Sequence, residues 1–334
     1  MKIESHASLR DFNGLRLESY ADELIHVEQP TDLAAALATS APCTILGDGT
    51  NVVLKPHVEG RVVRLLFKSI KVERQCNERA RVYVDAGVNW HELVRYTLAQ
   101  GISGLENLAL IPGSVGAAPF QNIGAYGMEL HEVCESVSVF DRVSNEFKVL
   151  SADECNFGYR DSSFKSTKRG KYVICGVTLG LGGGCLNTTY RDVAEAVGPK
   201  PHRSMTATQI AEAVIRIRRR KLPDIRRVPN VGSFFKNPCL SEASFAELRA
   251  KINIDGFRER DGVKVSAARL IDSAGGKKAS VGDATVWPRQ PLVLVNRGRA
   301  KARDVLALAA RIADEVHRRY DVLLELEPEV IGSD

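Results

Sequence analysis

Apolar residues recur along the chain with two periods, and the switches between them predict the elements. Asp32-Leu-Ala-Ala-Ala-Leu-Ala38 reads as a short helix capped by Thr31. The apolar strand Cys43-Thr-Ile-Leu46 follows and runs straight into Gly47-Asp-Gly-Thr-Asn51. Strands are predicted over 61–67 and 81–87. Trp90, Leu93, Val94 and Leu98 then share one helical face, with Gly101 as its stop. Beyond a glycine-rich run at 112–127, Val137 and Val139 alternate with polar neighbours. Ser144-Asn-Glu146 makes a turn, and Phe147-Lys-Val-Leu150 and 171–179 return as strands. Gly182-Gly-Gly184 is the expected boundary, dividing the chain into 1–183 and 184–334, because three glycines neither pack nor hold a strand well.

The second part starts irregularly around Tyr190 and builds a helix from about Thr208, burying Ile210, Val214 and Ile217 and ending at Leu222-Pro223. Further helices are predicted near 241–252, 265–274 and 302–319. In the last of these Val305, Leu306, Ala309, Ile312, Ala313 and Val316 form an apolar stripe. A strand over Val322-Leu-Leu-Glu-Leu-Glu327 is expected to close the fold, with Glu329 beyond it, where Pro328 interrupts pairing.

Composition narrows the class. With 334 residues, 44% hydrophobic and 26% charged, the chain can build two domains with a sizeable core. A net charge of +5 suits anionic small molecules and is too small to imply nucleic acid. Seven cysteines without a Cys-x-x-Cys pair fit reduced thiols better than a disulfide framework or zinc. The histidines at 57, 91, 131 and 317 show no metal spacing. Neither a signal-like apolar region nor a membrane-length apolar run is visible, so a soluble cytoplasmic protein is expected.

Two loops suit a phosphate-bearing cofactor. Gly47-Asp-Gly-Thr-Asn51 leaves a strand with glycines flanking one acid, so backbone N–H groups can form a concave array. Pro112-Gly-Ser-Val-Gly-Ala-Ala-Pro-Phe-Gln-Asn-Ile-Gly-Ala-Tyr-Gly127 is longer than an ordinary connection, and its small side chains permit close approach of a planar ligand. The alternative is a pair of surface turns. Neither loop is a P-loop or a Gly-x-Gly-x-x-Gly fingerprint at a strand–helix junction, which points to a nucleotide cofactor outside a Rossmann fold. Read singly, Ser233 is a turn serine, Arg160 a surface ion-pair partner and Glu329 a solvated carboxylate.

Together the motifs are specific. Ile45-Leu-Gly-Asp-Gly-Thr-Asn51, the stretch 106–127, Phe157-Gly-Tyr-Arg-Asp-Ser162, Lys221-Leu-Pro-Asp224, Gly232-Ser-Phe-Phe-Lys-Asn-Pro238 and Leu326-Glu-Pro-Glu-Val330 resemble, in order, the segments of the UDP-N-acetylenolpyruvoylglucosamine reductase family. The longer-chain subtype, with its substrate-closing tyrosine, is the better match. The chain departs from the family in reading Pro328-Glu-Val-Ile-Gly, where an arginine and a phenylalanine usually follow the valine.

The resemblance implies an α+β protein with a vanillyl-alcohol-oxidase (PCMH-type) FAD-binding part followed by a C-terminal lobe for the UDP-sugar. It implies non-covalent FAD, NADPH as hydride donor, and a monomer with no nucleic-acid or membrane partner. Gly47, Asp48, Gly49, Thr50, Asn51, Pro112, Gly113, Ser114, Gly116, Ala117, Asn122, Ile123, Gly124 and Tyr126 would hold the cofactor. Tyr190, Arg218, Lys221, Asn237 and Gln290 would hold the substrate. Ser233 would be the proton donor, with Arg160 and Glu329 stabilising the enolic intermediate. Another FAD-dependent oxidase or dehydrogenase on the same scaffold is one rival. The other is a basic nucleic-acid-binding protein using the arginines between 216 and 227.

Overall fold

The computed structural model describes residues 1–198, 205–260 and 262–334. They form two compact units. The first comprises Met1–Ala7, Asp22–Asp48 and Gly60–Arg220, and the second Ser8–Ala21, Gly49–Glu59 and Lys221–Asp334.

Two sheets lie mainly in the first unit. One orders Lys2–Ser8, Tyr20–Val27, His57–Leu65 and Cys43–Ile45, the last pair running parallel. The other is an antiparallel sheet ordered Glu146–Ser151, Cys134–Asp141, Tyr172–Leu181, Ala80–Asp85 and Ile70–Arg74. Val137 and Val139 point inward and are fully buried, as their alternation predicts. The helix Trp90–Ala99 packs on this sheet through Trp90, Leu93 and Val94. Asn89 caps it, accepting from the N–H groups of His91 and Glu92, and Gly101 follows with a φ of 72°. Trp90 is a core residue whose indole N–H donates to Leu108 O at 3.0 Å, so burial leaves no donor unpaired.

The second unit packs the helices Ala302–Tyr320 and Ala267–Ser273 against a sheet ordered Asn230–Ser233, Val293–Asn296, Ala284–Val286 and Ser280–Val281. Val305, Ala309, Ile312 and Val316 supply the expected stripe. A small sheet joins Cys239–Leu240, Gly262–Val265 and Gly256–Glu259.

Three expectations are corrected. Thr31 does not cap a helix; it lies inside the 3-10 turn Pro30–Asp32, and Asp32 precedes the helix Leu33–Leu37 without a side-chain cap bond. The units do not part at the glycine triplet. The helix Ala207–Lys221 buries Ile210, Val214 and Ile217 in the first unit's core, which carries that unit to Arg220. Residues 322–327 form no continuous strand. They contribute an isolated bridge at Leu326, whereas Glu329–Ile331 is the strand, running parallel to Val52–Leu54. Glu329 therefore starts the terminal strand. Among the described residues no helix is long and apolar enough to cross a membrane.

All seven thiols are free, and their environments differ. Burial pushes Cys134, Cys155 and Cys175 up to about 12, while Cys76, Cys185 and Cys239 are exposed. The thiolate is the reactive form. A disulfide reagent at neutral pH should therefore label the exposed three on the folded protein, and the buried three only after denaturation. Mass mapping of the labelled cysteines checks this.

Candidate functional site

In the first unit Gly47 meets the longer glycine-rich segment. A Cβ added to Gly47 would stand 2.5 Å from Ser114 Oγ and 3.5 Å from the Ala117 Cβ, so only a bare backbone fits. Gly116 lies against Ala86, its N–H donating to Ala86 O at 2.9 Å, and Gly113 O accepts from Trp90 N. Arg64, nearly buried, donates from Nε to Gly47 O at 3.4 Å, and its Nη2 sits 3.6 Å from Asp48 Oδ1. Burial lowers its pKa and Asp48 opposes the shift. A bare backbone beside a largely buried guanidinium suits the pyrophosphate of a dinucleotide cofactor, so these residues fit FAD. Sequence reasoning missed Arg64; its signal was a cation inside the apolar strand Val62-Val-Arg-Leu-Leu66.

Farther along the same loop Asn122 is fully buried in a left-handed conformation. Its Nδ2 donates to Glu129 Oε2 at 2.8 Å and to Gly158 O at 3.0 Å. Ile123 is a core residue. Gly158 opens the turn that carries Arg160: Asp161 N donates back to Gly158 O at 3.2 Å, and Gly158 N to Asp161 O at 3.0 Å. Arg160 occupies the third position with a φ of 54°, the region that type II turns reserve for glycine. Its Nη2 donates to Gly124 O at 2.7 Å, and its guanidinium lies 5.3 Å from the Tyr159 ring centre.

A third cluster in this unit joins Tyr126, Tyr190 and Arg218. The two rings meet edge to face at 5.3 Å, and the Arg218 guanidinium interacts electrostatically with the Tyr126 phenol. Burial raises both phenols and lowers Arg218. Both tyrosines therefore hold their protons at neutral pH and can act as donors. Tyr190 stands just before the helix Arg191–Val197. Among the described residues the buried Arg218 Nε and Asn107 Oδ1 have no hydrogen-bond partner. A buried donor left this way suits an anionic ligand.

In the second unit Ser233 ends the strand Asn230–Ser233. Asn230 pairs with Val295 and Ser233 with Val293, so three steps on one strand oppose two on the other. That is a β-bulge, and Gly232 adopts the φ of 73° it needs. Ser233 is thus re-aimed by a bulge rather than sitting in a free turn. Phe234 and Phe235, 0% and 1% exposed, anchor the following residues in the second unit's core. Phe234 N donates to Leu292 O at 2.7 Å, and Glu327 N to Phe234 O at 3.1 Å. Glu329 N donates to Asn51 O at 3.1 Å, and Asn51 Nδ2 to Glu327 O at 3.4 Å. These bonds thread the segments bearing Ser233, Glu329 and Asn51 into one neighbourhood, and Thr50 and Gly49 precede Asn51 in the same loop. Asn237 Oδ1 accepts from Ala267 N at the start of a helix, a structural bond that sequence reasoning did not anticipate. Gln290 closes a turn onto Trp287 O, and the Trp287 indole N–H donates to Lys221 O at 3.0 Å.

Comparison with known proteins identifies the family. Residues 223–331 match the model for the C-terminal domain of UDP-N-acetylenolpyruvoylglucosamine reductase, and residues 22–146 match an FAD-binding domain. The UDP-N-acetylenolpyruvoylglucosamine reductase of Shewanella sediminis is 40% identical over 343 residues, covering 100% of this chain and 97% of the relative. That of Ralstonia nicotianae is 40% identical over 339 residues, covering 98% and 99%. The crystal structure of UDP-N-acetylenolpyruvylglucosamine reductase from Thermus caldophilus superposes with a TM-score of 0.71 at 29% identity, covering 99% of this chain and all of that one. With an FAD-binding module in its first half and similarity along its whole length, the chain belongs to the UDP-N-acetylenolpyruvoylglucosamine reductase family.

Proposed function

We propose that the chain reduces UDP-N-acetylenolpyruvoylglucosamine to UDP-N-acetylmuramate for peptidoglycan synthesis, using NADPH and non-covalent FAD, as a cytoplasmic monomer. The observation that carries this reading is the 40% identity to named reductases along the full chain. When bound, FAD supplies a hydride to the methylene carbon of the enol ether. The chain's own groups must then deal with the charge that develops on the neighbouring carbon and its carboxylate. Arg160 pairs with that carboxylate through its planar fork. Ser233 Oγ gives its proton to the carbon, so hydride and proton together saturate the double bond. Glu329 assists in stabilising or protonating the enolic form. Tyr190, Arg218 and Lys221 hold the diphosphate, and Asn237 and Gln290 contact the same ligand.

The test is direct. Holoenzyme reduced anaerobically with NADPH is mixed with UDP-N-acetylenolpyruvoylglucosamine, and flavin absorbance is followed. Oxidised flavin should reappear as fast as steady-state turnover requires. A persistently reduced spectrum, or reoxidation only on admitting oxygen, overturns the reading in favour of an oxidase on the same scaffold. Purification of a protein without a flavin spectrum overturns it as well.

A further inference from the structure

We propose that Glu129 is a positioning residue for this reaction, holding the Arg160 guanidinium in place through its carboxylate. The proposal rests on the role given above to Arg160. The guanidinium is mostly buried and is approached on one edge by two groups from a single small hairpin, Gly124–Ala125 paired with Met128–Glu129. Nη2 donates to the Gly124 carbonyl at 2.7 Å, and Nη1 lies 3.9 Å from Glu129 Oε1. The latter separation is an ionic contact rather than a hydrogen bond. Gly124 and Glu129 face each other in the hairpin register, so the two contacts move together.

The hairpin is built for this approach. A Cβ on Gly124 would lie 2.9 Å from Arg160 Nη1 and 2.8 Å from the Glu129 Cγ, wedging the pair apart. Glu129 is itself fixed. Its Oε2 accepts from Asn122 Nδ2 at 2.8 Å, and His131 Nδ1 stands 3.4 Å from the same oxygen. Its carboxylate also accepts the N–H of Glu132, closing a reciprocal cap. Asn122 meanwhile donates to Gly158 O, the first residue of the Arg160 turn. One buried amide thus grips both the carboxylate and the turn that must agree in position. A fork oriented before the ligand arrives loses less freedom on binding, and small displacements at such groups are costly to rate.

The test uses holoenzyme variants with matched flavin content. Glu129→Gln keeps the shape and removes the charge. It should lower kcat for the enolpyruvyl substrate about 10- to 100-fold, with a smaller change in KM and none in flavin reduction by NADPH. Glu129→Asp retains the charge on a shorter arm and should fall between. The decisive readout is coupling. In an Arg160→Ala background Glu129→Gln should cost nothing further, because its effect passes through the arginine. Calorimetry on oxidised holoenzyme should show the same pattern in substrate affinity. An equal loss in both backgrounds, or wild-type kcat in Glu129→Gln, overturns the proposal. The reading of Arg160 fails separately, if Arg160→Ala alone turns over normally.

Discussion

Ser233→Ala should leave flavin reduction by NADPH at its wild-type rate and slow reduction of the enolpyruvyl substrate by about 10²- to 10⁴-fold, the usual worth of a positioned proton donor. Stopped-flow absorbance separates the two half-reactions. The structure makes this substitution a clean one. Ser233 lies between a bulge glycine and two buried phenylalanines, so the strand's position is set by Gly232, Phe234 and Phe235 rather than by the hydroxyl. The thermal midpoint should barely move. Equal slowing of both half-reactions would mean that the hydroxyl supports cofactor geometry, and wild-type turnover would remove Ser233 from the chemistry.

Arg160→Gly should separate stability from activity in the opposite sense to an ordinary core change. At a φ of 54° the arginine holds a backbone conformation that glycine adopts freely, so the substitution relieves about 1 kcal/mol of strain. It also forfeits one charge-assisted bond to Gly124 and a long ionic contact with Glu129. Thermal unfolding of the holoprotein should therefore stay near the wild-type value. Reduction of the substrate should fall by about 10²- to 10³-fold, as when a preorganised donor to developing charge is lost. A large drop in melting temperature with proportionate loss of activity would make Arg160 a structural residue instead.

The legible parts of the fold were those written into local patterns. Trp90, Leu93 and Val94 announced their helix by spacing, and Val137 and Val139 their strand by alternation. The failures share a cause. Leu323, Leu324 and Leu326 look like a strand, yet among the described residues the segment pairs with backbone only around Glu325–Glu327. The true strand at Glu329 depends on Val52–Leu54, far away in sequence. The boundary at the glycine triplet failed similarly, because Ile210, Val214 and Ile217 chose a core that no local signal names. At the site, the motif residues could be named only through their resemblance to a family. Arg64 and Glu129 sit outside the expected roster because their partners, Gly47 and Arg160, come from other segments.

The pairing of Glu329–Ile331 with Val52–Leu54 bears on how this protein is made. Val52–Leu54 lack their parallel partner until the distant Glu329–Ile331 segment has been synthesised. Contacts of such sequence separation form late, because the intervening loop must first be closed. The first unit draws on no residue beyond Arg220, whereas the second combines Ser8–Ala21 and Gly49–Glu59 with Lys221–Asp334 and so depends on contacts of long sequence separation. A chain lacking Glu329–Ile331 would therefore keep Gly47, Asp48 and Ser114 together but leave Val52–Leu54 without its parallel partner.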